Sequence, residues 1–129
     1  MRFLSVFLIV TLWVALEASA QLPTQDDSAN GVTVAVTPNV AADAKVWEFK
    51  VVLNTHSQDL SDDLVQTAFL VDDKGNKFKP LGWEGSASGG HHRSGVLKFA
   101  PVVPQPQAVE LRIDRPGETK TRVFRWELK

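Results

Sequence analysis

The chain predicts an all-β fold, an antiparallel β-sandwich of about seven strands, and three observations carry that expectation. Apolar and polar residues alternate through short segments, the period of a strand with one buried face. No segment beyond the N-terminus holds a sustained helical period. Eight glycines and seven prolines, together with Asn and Asp, interrupt the alternation at short intervals.

The first twenty residues stand outside the pattern. Arg2, an apolar run over 3–16 broken only by Ser5 and Thr11, and then Ala18-Ser19-Ala20 read as a signal peptide cleaved before Gln21. The run is shorter than the roughly 20 residues that span a bilayer. No later segment approaches that length, so the mature chain is expected to lack a transmembrane segment and to be periplasmic or secreted. Residues 21–30 are polar and read as a flexible leader, ahead of a sandwich domain over 31–129.

Strands are expected at 31–37, 46–53, 67–72, 76–80, 95–100, 108–113 and 121–128. In the first, Val32, Val34 and Val36 alternate with Thr33, Ala35 and Thr37. The second sets Trp47, Phe49, Val51 and Leu53 against Glu48 and Lys50. Asp73-Lys74-Gly75-Asn76 turns the third into the fourth, with Gly75 supplying positive φ and Phe78 returning inward. In the sixth, Val109, Leu111 and Ile113 oppose Glu110 and Arg112; in the last, Phe124, Trp126 and Leu128 oppose Arg125 and Glu127. Residues 60–66 suggest a helical turn, capped by Ser61 with Asp62 and Asp63 at its positive end. Residues 101–107, with Pro104 and Pro106, read as a stiff crossover between sheets. Seven short strands in about 100 residues suggest an immunoglobulin-like sandwich, with Trp47 or Trp126 as the buried tryptophan and a small β-barrel as the alternative.

Composition narrows the chemistry. Lys and Arg total 14 against 15 Asp and Glu, and loss of the signal peptide removes one of each sign, so no field draws in nucleic acid or an anionic membrane. There is no Cys, and Met1 is the only Met. Thiol catalysis, iron–sulfur clusters, blue-copper centres and thioether copper sites are therefore excluded from the mature chain. A domain of about 100 residues buries roughly two-thirds of its unfolded surface, so no disulfide is required. Arg112, Arg115, Arg122 and Arg125 interleave with Glu110, Asp114, Glu118 and Glu127, which reads as a mixed, solvated sheet face.

Three histidines remain, His56 in one loop and His91 and His92 in another. If seven strands alternate in direction, the connections over 54–66, 81–94 and 114–120 emerge at one end. That end gathers His56, His91, His92, Asp59, Ser57, Trp83 and Arg93, and loop clusters of this kind are where sandwiches bind. Three imidazoles and the Asp59 carboxylate form a candidate Cu(II) or Zn(II) site, with Gly89-Gly90 letting both adjacent histidines reach one side. The alternative is that the histidines stabilise the loops through hydrogen bonds. Asp59, Asp62 and Asp63 are weighed as calcium ligands, with an ion pair from Arg93 to Asp62 or Asp63 preferred. A hydrolase built from Ser57 or Ser94, His91 and Asp59 is a distant third. The stretch Gly85-Ser86-Ala87-Ser88-Gly89 places Ala87 where a nucleophile elbow needs serine.

From Trp47 to Phe99 the chain resembles small exported bacterial proteins sharing a frame. Its elements are Trp47-Glu48-Phe49, Thr55-His56-Ser57-Gln58-Asp59-Leu60, Ala68 to Gly75, Trp83-Glu84-Gly85 and Gly89-Gly90-His91-His92-Arg93-Ser94-Gly95. That resemblance implies export and a β fold and carries no activity with it. The chain is also broadly similar to secreted immunoglobulin-like accessory domains, which implies binding. The expectation is therefore an exported, non-enzymatic binding or accessory module with a protein or metal partner.

Overall fold

The computed structural model describes residues 9–10 and 21–129, so the expected signal peptide lies outside the described residues apart from Ile9 and Val10. Among the described residues there are nine strands and one turn of helix. They are β1 Gln25–Ala29, β2 Val32–Asn39, β3 Trp47–Thr55, α1 Leu64–Thr67, β4 Ala68–Asp72, β5 Lys77–Phe78, β6 Gly82–Gly85, β7 His92–Phe99, β8 Ala108–Ile113 and β9 Arg122–Glu127. Every pairing is antiparallel, in a five-stranded sheet of order β1-β2-β3-β7-β6 and a four-stranded sheet of order β5-β4-β8-β9. Two separate sheets make a sandwich and not a barrel. With β2 taken as strand A, the orders become A-B-E-D and C′-C-F-G, the arrangement of an immunoglobulin-like sandwich. β1 is an addition on the outer side of strand A.

Two segments raise the strand count above the expected seven. Residues 25–29, read as flexible leader, pair with β2 from Gln25↔Val36 to Ala29↔Val32. The hairpin closes through Asn30 and Gly31 at φ 52° and 76°, the positive-φ pair of a tight β-turn. β1 has no buried face, its residues alternating between half-buried and exposed, so no hydrophobic period announces it. Gly82–Gly85 forms β6 on β7, which places Trp83 in a strand and not in a loop. The end-sharing of the loops survives this extra strand. β5 and β6 run in the same sense, each antiparallel to a strand leaving the histidine end, so the chain makes one course that switches sheets at Pro80-Leu81.

The core lies between the sheets and follows the period-two pattern. Trp47, Phe49, Val51 and Leu53 of β3 are buried with Val109, Leu111 and Ile113 of β8 and Phe124 and Trp126 of β9. Phe49 meets Phe99 edge-on at 5.5 Å between ring centres and Trp126 at 5.8 Å. β3 and β8 are the strands that antibody domains bridge with a disulfide; here large apolar side chains fill the space, each worth about 1.5–3 kcal/mol of burial. Trp47 lies on strand B and Trp126 on strand G, and the strand C equivalent β4 turns Leu70 inward. The helical turn begins at Asp63, which makes no side-chain cap bond, so Ser61 does not cap it.

Candidate functional site

The end of the sandwich that carries the histidines is assembled by a zipper between the 55–60 and 89–92 segments. Pairing of Asn54 with His92 ends the β3–β7 ladder, and Thr55 N–H then donates to His91 O at 2.9 Å. Leu60 N–H donates to Gly90 O at 3.0 Å, and Gly89 N–H to Leu60 O at 2.7 Å. The Asp59 carboxylate accepts the Gly90 N–H at 2.8 Å. Gly89 and Gly90 reach these bonds at φ 105° and 80°, where a Cβ is strained. Thr55 organises the other strand of the zipper. Its hydroxyl donates to Gly31 O at 2.8 Å and accepts from the N–H groups of Ser57 and Gln58, each at 3.3 Å. Gln58 Nε2 donates to Asn30 O, joining the β1–β2 turn to the same end.

Arg93 runs inward beneath this zipper. It is buried, and its Nη1 donates to Asp62 O at 2.7 Å and Leu60 O at 3.3 Å. Its guanidinium sits 5.6 Å from the Trp83 ring centre, and the Trp83 indole N–H donates to Ser86 O at 3.1 Å. The expected ion pair from Arg93 to the Asp62 or Asp63 carboxylate is corrected here, because Arg93 takes the Asp62 backbone carbonyl.

The Asp62 carboxylate belongs to a buried network that sequence reasoning missed. Arg115 Nε and Nη2 donate to it at 2.9 and 3.0 Å, and Arg115 Nη1 donates to Glu118 at 2.7 Å. Glu118 also accepts from Arg122 Nε and Nη2 at 2.8 and 2.9 Å. The remaining Arg122 donors reach Asp27 O, Ala29 O and Val32 O, with a longer 3.2 Å contact to the Asp27 carboxylate. Arg115 and Arg122 are therefore buried with every guanidinium nitrogen bonded, and not part of a solvated sheet face; Arg112 and Arg125 do form surface pairs with Glu110. Arg122's bond to Glu118 holds that carboxyl below its ordinary value against the opposing effect of burial, and Arg115 adds to the lowering. Burial opposes the charge on Arg115, but Asp62 and then Glu118 outweigh it and raise its pKa. One signal for this was present: Arg122 shares the inward parity of Phe124 and Trp126 in β9.

The expected site residues divide accordingly. His56, Ser57, Asp59, His91 and His92 are exposed, while Arg93 is buried and Trp83 half-buried. His92 opens β7 opposite Asn54, whereas His91 lies in a bend just ahead of the strand and joins Thr55 through its carbonyl. His92 Nδ1 shares a hydrogen bond with Asn54 Oδ1. Among the described residues no group of three or more His, Asp or Glu side chains is placed to hold a metal ion. The hydrogen bonds of these residues join no serine hydroxyl to a histidine, and Asp59 is engaged by Gly90. Two grooves indent the surface, of about 410 Å³ beside Leu22, Val40 and Leu128 and about 320 Å³ beside Phe69, Phe78 and Pro80; neither is lined by a histidine. No protein-family model matches the chain, and no curated protein matches it.

Proposed function

We propose that this is an exported, non-enzymatic binding domain that contacts a partner through the end bearing His56, Ser57, His91 and His92. The observation that supports it is the contrast between a stiff foundation and an exposed polar rim. Arg93, Arg115 and Arg122 tie the 60–62, 115–118 and 27–32 segments together from beneath. The residues above them make few bonds of their own and are open to solvent. A rim held this way binds without the entropic cost of ordering loops.

The test places a photo-reactive side chain at His91 or at Asp73, which lies in the turn at the opposite end, in cells that produce the protein. A discrete adduct from position 91 alone, lost when His56→Ala and His92→Ala are added to the same probe protein, supports the reading. Equal adducts from both positions, or none from 91, sink it. A second reading has Cu(II) or Zn(II) bound through His92 with His56 or His91 and rests on the Asn54 bond, which engages Nδ1 and leaves Nε2 of the exposed ring as the nitrogen a metal would take. Calorimetric titration of the same protein with either ion should give heat that His92→Ala removes; silence from the unmodified protein ends that reading.

A further inference from the structure

We propose that Gln21 becomes an N-terminal pyroglutamate. The inference rests on the export reading, in which cleavage after Ala18-Ser19-Ala20 makes Gln21 the first residue of the mature chain. From residue 22 onward the chain is tied to the sandwich. Leu22 packs against the core, and the Pro23 carbonyl accepts the Trp126 indole N–H at 2.8 Å. The Thr24 hydroxyl bonds that of Thr37 at 2.6 Å. Gln25 uses both ends of its amide on the Arg125 backbone, donating to Arg125 O and accepting from Arg125 N–H at 3.1 Å.

Gln21 stands just ahead of this anchored stretch. It is exposed, and none of the hydrogen bonds among the described residues engages its side-chain amide. Cleavage therefore leaves an α-amine and a γ-carboxamide on one residue, both in solvent, with no partner competing for either. The amine nitrogen attacks Cδ and the N–Cδ bond forms; the Cδ–Nε2 bond breaks, and Nε2 leaves as ammonia with a proton taken from the amine. No oxidant or co-reactant enters. The α-amine titrates at about 7.7–8.0 in the ordinary case, so the neutral nucleophile is present at neutral pH. Attack within one residue also has the large effective concentration of an intramolecular reaction. The product loses the terminal positive charge at the rim of the groove beside Leu22, Val40 and Leu128, and offers aminopeptidases no amine.

The experiment is mass spectrometry of the N-terminal peptide from full-length chain expressed and exported by a bacterial host. The expected major species begins at residue 21 and is lighter by one ammonia, about 17 Da. A Gln21→Ser chain should keep a free amine. A peptide that begins at Gln21 at full mass overturns the cyclisation and leaves the export reading standing. A chain that retains residues ahead of Gln21 overturns both.

Discussion

Arg115→Met isolates what the buried network contributes. The substitution keeps most of the apolar stem and removes only the guanidinium. Asp62 loses both of its bonds, at 2.9 and 3.0 Å, and Glu118 loses one at 2.7 Å. Their losses differ in kind. Glu118 keeps two bonds from Arg122, whereas among the described residues Arg115 alone bonds the Asp62 carboxylate, which is 1% exposed. An uncompensated buried charge of this sort costs about 3–5 kcal/mol. That is a large share of the roughly 5–15 kcal/mol that holds a domain together. It corresponds to a fall in Tm of about 15–30 °C for a domain of this size. Adding Asp62→Asn removes the stranded charge and should restore part of the loss, so the double variant should be more stable than the sum of the two single changes implies. Arg125→Met serves as the surface control, because its pairs with Glu110 and Glu127 are half exposed and worth less than about 1 kcal/mol. Urea unfolding and calorimetry read the parent and all four variants. A cost for Arg115→Met no larger than that of Arg125→Met, or strict additivity in the double variant, refutes the argument.

Two further outcomes follow from the same end of the molecule. Glu118 titrates lower in the folded chain than in the unfolded one, so its contribution is complete above about pH 4.5 and is lost as pH falls through the folded value. Urea unfolding from pH 7 down to about pH 2.5 should show an acid limb that is shallower in Glu118→Gln, and an unchanged slope would remove Glu118 from the network's energetics. Gly95→Ala should cost about 1–3 kcal/mol by overpacking. A Cβ there stands 2.5 Å from the Trp83 ring and 2.7 Å from Glu84 O, so the loss of stability should come with a shift in tryptophan fluorescence, and a neutral effect would mean that the β6–β7 contact is loose.

Alternation made most of the sandwich legible. Wherever one face is buried, as in β2, β3, β8 and β9, the apolar residues mark the strand and its inward side. β1 escaped because neither of its faces reaches the core, so it carries no apolar period. The frame from Thr55 to Leu60 and from Gly89 to Gly95 was visible as a set of residues, but the bonds that join its two parts were not. Gly90 and His91 act there through backbone N–H and C=O groups, which side-chain identity does not report, and the Asp59 carboxylate takes a backbone partner 31 residues away. Asp62 and Arg115 are 53 residues apart, and no local pattern ties so distant a pair. Arg122 differs, since a charge at the inward parity of a strand is itself a sign that a buried partner exists.

The distribution of charge along the molecule explains why this end carries the proposed contact surface. At the opposite end two of the three connections are a short turn around Gly75, where the Asp72 carboxylate accepts from the Lys74 and Asn76 N–H groups, and a proline-containing crossover. Such segments are stiff by local chemistry. The histidine end instead has long connections with little regular structure, and a chain without cysteine has no covalent way to fix them. Arginines answer that need, because a guanidinium is always charged and its donors are fixed in one plane, so each demands a defined set of acceptors. Arg93 takes carbonyls, Arg115 carboxylates, and Arg122 both. The consequence separates foundation from contact surface. Substituting His56 or His91 should weaken a partner's binding and leave Tm in place, whereas Arg115→Met should lower both together, since loosening the foundation disorders the rim that the partner recognises.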